Sequence, residues 1–355
     1  MRIRPTMTIS MCVALAMLTM GCAGNGDESV RPARSGSSTP TTAEDSSPSD
    51  PTRSPEAPQP AGTFVVGSTE RTYVDESRPT PAHGGQPELP SRTLPTLVLY
   101  PAQGEPTGPD VSPTAGATAI PGPWPVILFA HGSTRKAQDY IETLTWWASA
   151  GYVVIAPNFP LSAEGTPGGT AYDDYPAQSA DESFVITAAT TDTSAPLELA
   201  DLINPDRIGL GGQSFGAITT FGTVAAKCCA DPRIKAATTF AGVWLPYPPS
   251  DELAERASSV PVLFVHGDND PTLSYDADRE FWTRLGAPGG FLTIVGGGHD
   301  DGYFEGGSQP IDELVSNVTL AFYDQHLKGD ESGPSRMKEL VATVGPTKAL
   351  LDLRP

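Results

Sequence analysis

Short apolar runs at 126–130, 152–156, 207–210, 234–237, 260–265 and 291–295, separated by longer stretches of mixed polarity, restrict the fold of this chain more than any other feature. An apolar run without polar alternation predicts a strand buried on both faces. The intervening stretches, at about 137–150, 177–190, 215–228, 274–285 and 311–327, predict helices that supply the cover. The alternation therefore implies an α/β domain of three layers around a mostly parallel sheet. Earlier segments at 63–66, 69–74 and 96–100, rich in β-branched and aromatic residues, predict further strands at the start of the domain. The domain is bounded at 62–328, and 329–355 reads as a C-terminal tail without legible chemistry.

The residues before the domain have a different character. Arg2 and Arg4 precede an uncharged apolar stretch at 7–20 and then Gly21-Cys22, which predicts a signal peptide over 1–21; the apolar part is too short to span a bilayer. Gly21-Cys22 resembles a bacterial lipobox, which would make Cys22 the lipidated first residue of the mature protein. Thr19 and Met20 stand where leucine and a small residue are usual, so plain signal-peptidase cleavage is the alternative. Residues 22–61 are dominated by Ser, Thr, Pro and Gly. They cannot bury enough apolar surface to offset their ordering entropy, which predicts a disordered linker. With 22 Lys and Arg against 42 Asp and Glu the formal net charge is −20. A surface of that sign repels phosphate backbones and excludes nucleic acid as a partner.

The chemistry begins where the run at 207–210 ends. Gly212-Gln-Ser214-Phe-Gly216 is a G-x-S-x-G motif between a predicted buried strand and a predicted helix, the setting of a nucleophile elbow. Glycines there let the chain turn sharply enough to present the Ser214 hydroxyl. A bare β–α turn with a capping serine is the plainer alternative. A serine hydroxyl needs a neighbouring base, and the base needs an orienting group. Of the five histidines, His83, His131, His266 and His326 each read as hydrogen-bonded structural residues, whereas His299 lies in a glycine-rich loop after the last apolar run. Acids for the third role are Asp268 and Asp270, in the turn after the run at 260–265. A histidine base must be neutral, so activity is expected to fall as the pH drops through the ordinary histidine range.

The segments Asp75-Glu-Ser-Arg78, Arg92-Thr-Leu-Pro95, Tyr100-Pro101, Phe129-Ala-His-Gly132, 148–154, the elbow and 292–299 resemble secreted actinobacterial α/β-hydrolases. That group is related to dienelactone hydrolases, chlorophyllase-like proteins, platelet-activating-factor acetylhydrolases and polyester-degrading cutinases, and the similarity runs over about 62–328. The resemblance implies the α/β-hydrolase fold and a carboxylic-ester hydrolase with Ser214, Asp270 and His299 as nucleophile, acid and base, in the chain order of that fold. It favours Asp270 because G-x-x-D is the usual acid position there, with Asp268 the alternative. It implies an oxyanion hole from the backbone amides of Ser133 and Phe215. It places Trp244 where cutinases carry a substrate-facing tryptophan, although ordinary packing explains a tryptophan equally well. It calls for no metal or organic cofactor. One departure stands out: dienelactone hydrolases use a cysteine nucleophile, and the elbow here holds a serine.

Other features carry less. Cys228 and Cys229 are adjacent and fit either a vicinal disulfide or two buried thiols. The acidic pairs Asp173-Asp174, Asp181-Glu182 and Asp300-Asp301 read as surface solvation. The implied partners are an ester substrate and, through Cys22, the outer face of the cell membrane. Two rival readings use the same residues: a non-catalytic solute-binding or structural lipoprotein on a hydrolase fold, and a serine peptidase or thioesterase.

Overall fold

The structure, a computed structural model, describes residues 58–106, 112–302 and 310–355. The expected signal peptide, Cys22 and nearly all of the expected linker lie outside the described residues. Ten strands form one sheet: β1 (Val65–Asp75), β2 (Arg92–Ala102), β3 (Thr114–Ala115), β4 (Trp124–Ala130), β5 (Val153–Pro157), β6 (Ile203–Gln213), β7 (Ile234–Phe240), β8 (Val262–Gly267), β9 (Gly289–Ile294) and β10 (Ala349–Arg354). Their order is β10-β9-β8-β7-β6-β4-β5-β2-β1-β3. From β5 through β4, β6, β7 and β8 to β9 every pairing is parallel, while β2 joins β5 and β10 joins β9 antiparallel.

Period-2 alternation within the buried strands feeds two cores, one on each face of the sheet. In β4, Trp124, Val126, Leu128 and Ala130 point to one face, and Ile127 and Phe129 to the other. In β8, Val262 and Phe264 alternate with Leu263 and Val265 in the same way. The first core is closed by α2 (Tyr175–Thr190), the short α3 (Leu199–Leu202), α4 (Phe215–Ala225) and α5 (Tyr275–Leu285). The second is closed by α1 (Ile141–Ser149), α6 (Pro310–Leu327) and α7 (Gly333–Val344). Each fully buried large apolar side chain contributes roughly 1.5–3 kcal/mol. The three layers are those the apolar runs imply.

Three expectations are corrected. The predicted strands at 63–66 and 69–74 are one continuous strand, β1, paired along its whole length with β2. The tail at 329–355 is part of the domain: α7 buries Met337 and Val341 in the second core, and β10 extends the sheet beyond β9. Of the acidic pairs on α2 and just before it, only Asp173 is exposed. Asp174, Asp181 and Glu182 are buried, and Arg92, itself buried, bonds both Asp174 (2.8 Å) and Asp181 (2.6 Å). Arg78 adds bonds to Asp181 (2.6 Å) and Asp75 (2.7 Å), so the Asp75–Arg78 and Arg92 segments form the ion-pair clamp between β1, β2 and α2. Cys228 and Cys229 are joined as a vicinal disulfide.

Candidate active site

The turns that follow β4, β6, β8 and β9 carry the predicted residues, at the C-terminal ends of parallel strands where open sheets present ligands. Ser214 sits between β6 and α4 with φ 54° and ψ −116°. That backbone costs a residue with a side chain on the order of 1–3 kcal/mol. It is fixed by its own N–H, which donates to the Phe240 carbonyl at 2.8 Å. A Cβ on Gly212 would lie 2.4 Å from the Gly216 carbonyl oxygen, and one on Gly216 would lie 2.1 Å from that of Ala130. Neither position accepts a side chain, which is the physical content of the G-x-S-x-G spacing.

His299 bridges the other two residues. Its Nε2 lies 2.8 Å from Ser214 Oγ, and its Nδ1 donates to Asp270 Oδ2 at 2.7 Å. The second carboxylate oxygen, Oδ1, accepts the backbone N–H groups of Thr272 (2.7 Å) and Leu273 (3.0 Å). Burial works against charge on Asp270, but the His299 bond and the two backbone bonds outweigh it and hold its pKa below the usual carboxylate range. Asp268 instead accepts the Gly296 N–H at 2.6 Å. The acid hydrogen-bonded to His299 is therefore Asp270.

Phe215 opens α4, where a backbone N–H has no intrahelical acceptor. The Ser133 turn is held from behind: the Gly132 N–H donates to Tyr140 Oη at 2.9 Å, and that hydroxyl donates to Gln213 Oε1 at 2.9 Å. Gln213 Nε2 also approaches the His299 carbonyl at 3.5 Å. Gln213 thus ties the Ser133 turn to the His299 loop from the position next to the nucleophile, which G-x-S-x-G leaves unspecified. Tyr172, another residue without a sequence signal, is 64% exposed. Its ring meets Phe215 edge-on at 5.6 Å and its hydroxyl lies 3.2 Å from Ser133 Oγ, which also bonds Thr170 Oγ1 at 2.6 Å.

The other predicted residues fall as follows. Trp244 is half-buried, stacks on Phe281 at 4.6 Å and donates to Asp251 at 2.5 Å. His131 is buried, accepts the Phe159 N–H on Nε2 at 3.0 Å, and is kept neutral by burial, which pulls its pKa down to about 4. Burial likewise lowers His326 to about 4. His131 has the hydrogen-bonded structural role the sequence gives it, and the His326 ring packs edge-on against Phe322 at 4.7 Å. His266 instead touches the site: its Nε2 lies 3.0 Å from Asp270 Oδ2. Among the described residues no group of three or more His, Cys, Asp or Glu could hold a metal ion, and no helix is long and apolar enough to cross a membrane.

The Dienelactone hydrolase family model matches residues 114–287. Chlorophyllase-1 from Arabidopsis thaliana is 30% identical over 142 residues, which is 40% of this chain and 40% of that protein. The match therefore spans less than half the length of that relative. A solved structure of a ferulic acid esterase from Streptomyces cinnamoneus superposes on 83% of this chain and 98% of its own, with a TM-score of 0.61 and 20% identity. The chain has the α/β-hydrolase fold. At the rim of this fold a hydroxyl, an imidazole and a carboxylate stand in hydrogen-bonded series, beside a helix N-terminus that offers an amide. Such a series can move a proton off the hydroxyl while an adjacent carbonyl is attacked.

Proposed function

We propose that this chain is a serine hydrolase of carboxylic esters. The observation that carries the reading is the position of His299, within hydrogen-bond distance of both Ser214 Oγ and Asp270 Oδ2. His299 Nε2 takes the Ser214 proton as Oγ adds to the ester carbonyl, and Asp270 holds the imidazole so that Nε2 is the accepting atom. The backbone N–H groups of Phe215 and Ser133 receive the oxyanion; loss of one such donor typically costs about 100- to 1000-fold in turnover. His299 then returns its proton to the departing alcohol, leaving Ser214 acylated. In the second half the imidazole deprotonates a water as it attacks the acyl carbon, and the same proton returns to Ser214 Oγ as the C–Oγ bond breaks and the acid leaves. The dienelactone hydrolase match and the esterase name of the structural neighbour support an ester over a peptide bond. The exposed Tyr172 ring stands beside Phe215 and Ser133, the two proposed oxyanion donors.

A fluorophosphonate probe tests the reading without knowledge of the natural ester. Wild-type protein is expected to be labelled and to hydrolyse p-nitrophenyl esters, and Ser214→Ala to do neither. A folded wild type that takes no label would eliminate the enzyme in favour of a binding protein.

The same proposal includes export and anchoring through Cys22, supported by the Arg2/Arg4 start, the apolar stretch and Gly21-Cys22. Cys22→Ser is expected to abolish incorporation of radiolabelled palmitate and release the protein from the membrane fraction. Unchanged incorporation would place the lipid elsewhere or refute it.

A further inference from the structure

The acid of the proposed triad has a second imidazole partner. His266, fully buried in β8, places Nε2 3.0 Å from Asp270 Oδ2, the same atom that accepts from His299. Its Nδ1 lies 2.8 Å from Oδ2 of Asp278, a fully buried residue of α5. The series therefore runs Ser214, His299, Asp270, His266, Asp278 through the core. The proton count along it is constrained. Asp270 accepts from His299 Nδ1–H and from the backbone of Thr272 and Leu273, an arrangement suited to the ionised carboxylate. Contact with His266 then requires the proton to be on Nε2. On the far side a second proton lies between Nδ1 and Asp278, on one atom or the other. Either way the His266–Asp278 pair is neutral overall and keeps an N–H aimed at Asp270.

The surroundings favour that state. Burial lifts the Asp278 pKa to about 6 against the pull of His266, and Asp278 Oδ1 has no hydrogen-bond partner. Burial works against charge on His266, but Asp278 and Asp270 outweigh it and raise its pKa. Tyr275 meets the His266 ring edge-on at 5.9 Å, its hydroxyl engaged at 2.7 Å with Thr293, the β9 residue that pairs with His266.

We infer that His266, held by Asp278, is a positioning residue for the triad: its Nε2–H shares Asp270 Oδ2 with His299, fixing the carboxylate and limiting how tightly it can hold the protonated imidazole. The inference rests on the triad reading above. Without the His266 donor Asp270 pulls harder on the His299 imidazolium, so the base stays protonated to a higher pH. The carboxylate is also less firmly oriented, so the fully deprotonated enzyme is slower.

The test is the pH dependence of the second-order rate of fluorophosphonate labelling at Ser214 in wild type, His266→Leu and His266→Gln. His266→Leu is expected to raise the acid-side midpoint by about half a pH unit or more and to lower the high-pH plateau roughly tenfold. His266→Gln, which keeps an N–H within reach, is expected to restore most of the midpoint. A folded, labelled His266→Leu with a wild-type midpoint overturns the inference, as does a shift that glutamine fails to reverse. Should His266→Leu not fold, ¹⁵N-histidine NMR of the wild type decides: Nε2 of His266 must stay protonated across the whole acid limb, and its deprotonation there overturns the inference. An unlabelled wild type overturns the triad itself, which separates the two failures.

Discussion

Asp270→Asn is expected to lower ester turnover by about four orders of magnitude, whereas Asp268→Asn changes it only a few-fold. The two residues share one turn, and the difference lies in what each carboxylate touches. Asp270 accepts every hydrogen bond it makes: from His299 and His266 on Oδ2, and from the Thr272 and Leu273 backbone on Oδ1. An asparagine cannot accept on both sides. With its oxygen on the two backbone N–H groups, its NH₂ faces His299 Nδ1, and the imidazole must turn to the tautomer that carries its proton on Nε2. That tautomer cannot take the Ser214 proton. With the amide reversed, two backbone donors lose their acceptor. Asp268 only anchors the Gly296 N–H in the neighbouring loop, and an asparagine oxygen serves as well. The measurement is kcat on a p-nitrophenyl ester for both variants, with circular dichroism as the fold control. Equal losses, or a larger loss at Asp268, would remove Asp270 from its role.

Much of this was legible along the chain because the decisive features are local. Buried strands announce themselves as apolar runs, and the residues at their ends are carried to the rim by the parallel topology, whatever lies between. The G-x-S-x-G motif was readable for a steric reason, since Gly212 and Gly216 each face a backbone carbonyl. What could not be read depends on side-chain direction or distant partners. Asp268 and Asp270 are two positions apart, and only the course of the turn decides which one faces His299. His266 reads as an ordinary buried histidine because its partner Asp278 belongs to the next helix. The acids at 174 and 181 read as solvent-facing because the arginines that neutralise them, Arg78 and Arg92, come some 80–100 positions earlier. Strand β10 went unseen because its apolar run, Ala349-Leu-Leu351, is short and broken by Asp352, and as an edge strand it buries little: of its six residues only Ala349 is buried.

Glu182 yields the largest stability effect. It is buried on α2 against α4, where the Thr220 and Thr223 hydroxyls donate to its carboxylate oxygens. Burial raises its pKa from the ordinary 4.5 to about 8; the threonine bonds oppose the shift, and the negative charges of Asp181 and Asp231 add to it. The folded protein therefore holds this proton up to about pH 8, while the unfolded chain releases it near 4.5. Raising the pH between those values removes the proton from the unfolded state alone, so this residue costs stability progressively and its penalty levels off above pH 8. Glu182→Gln mimics the protonated side chain at every pH. It is expected to match wild type below pH 4.5 and to exceed it above pH 8 by on the order of 4 kcal/mol, read from urea unfolding at a series of pH values. Parallel stability curves for the two proteins would show that Glu182 does not titrate in this window. Because a neutral His299 requires the pH to rise while Glu182 makes the fold weaker as it rises, Glu182→Gln is also expected to extend the working range on the alkaline side without touching the acid limb.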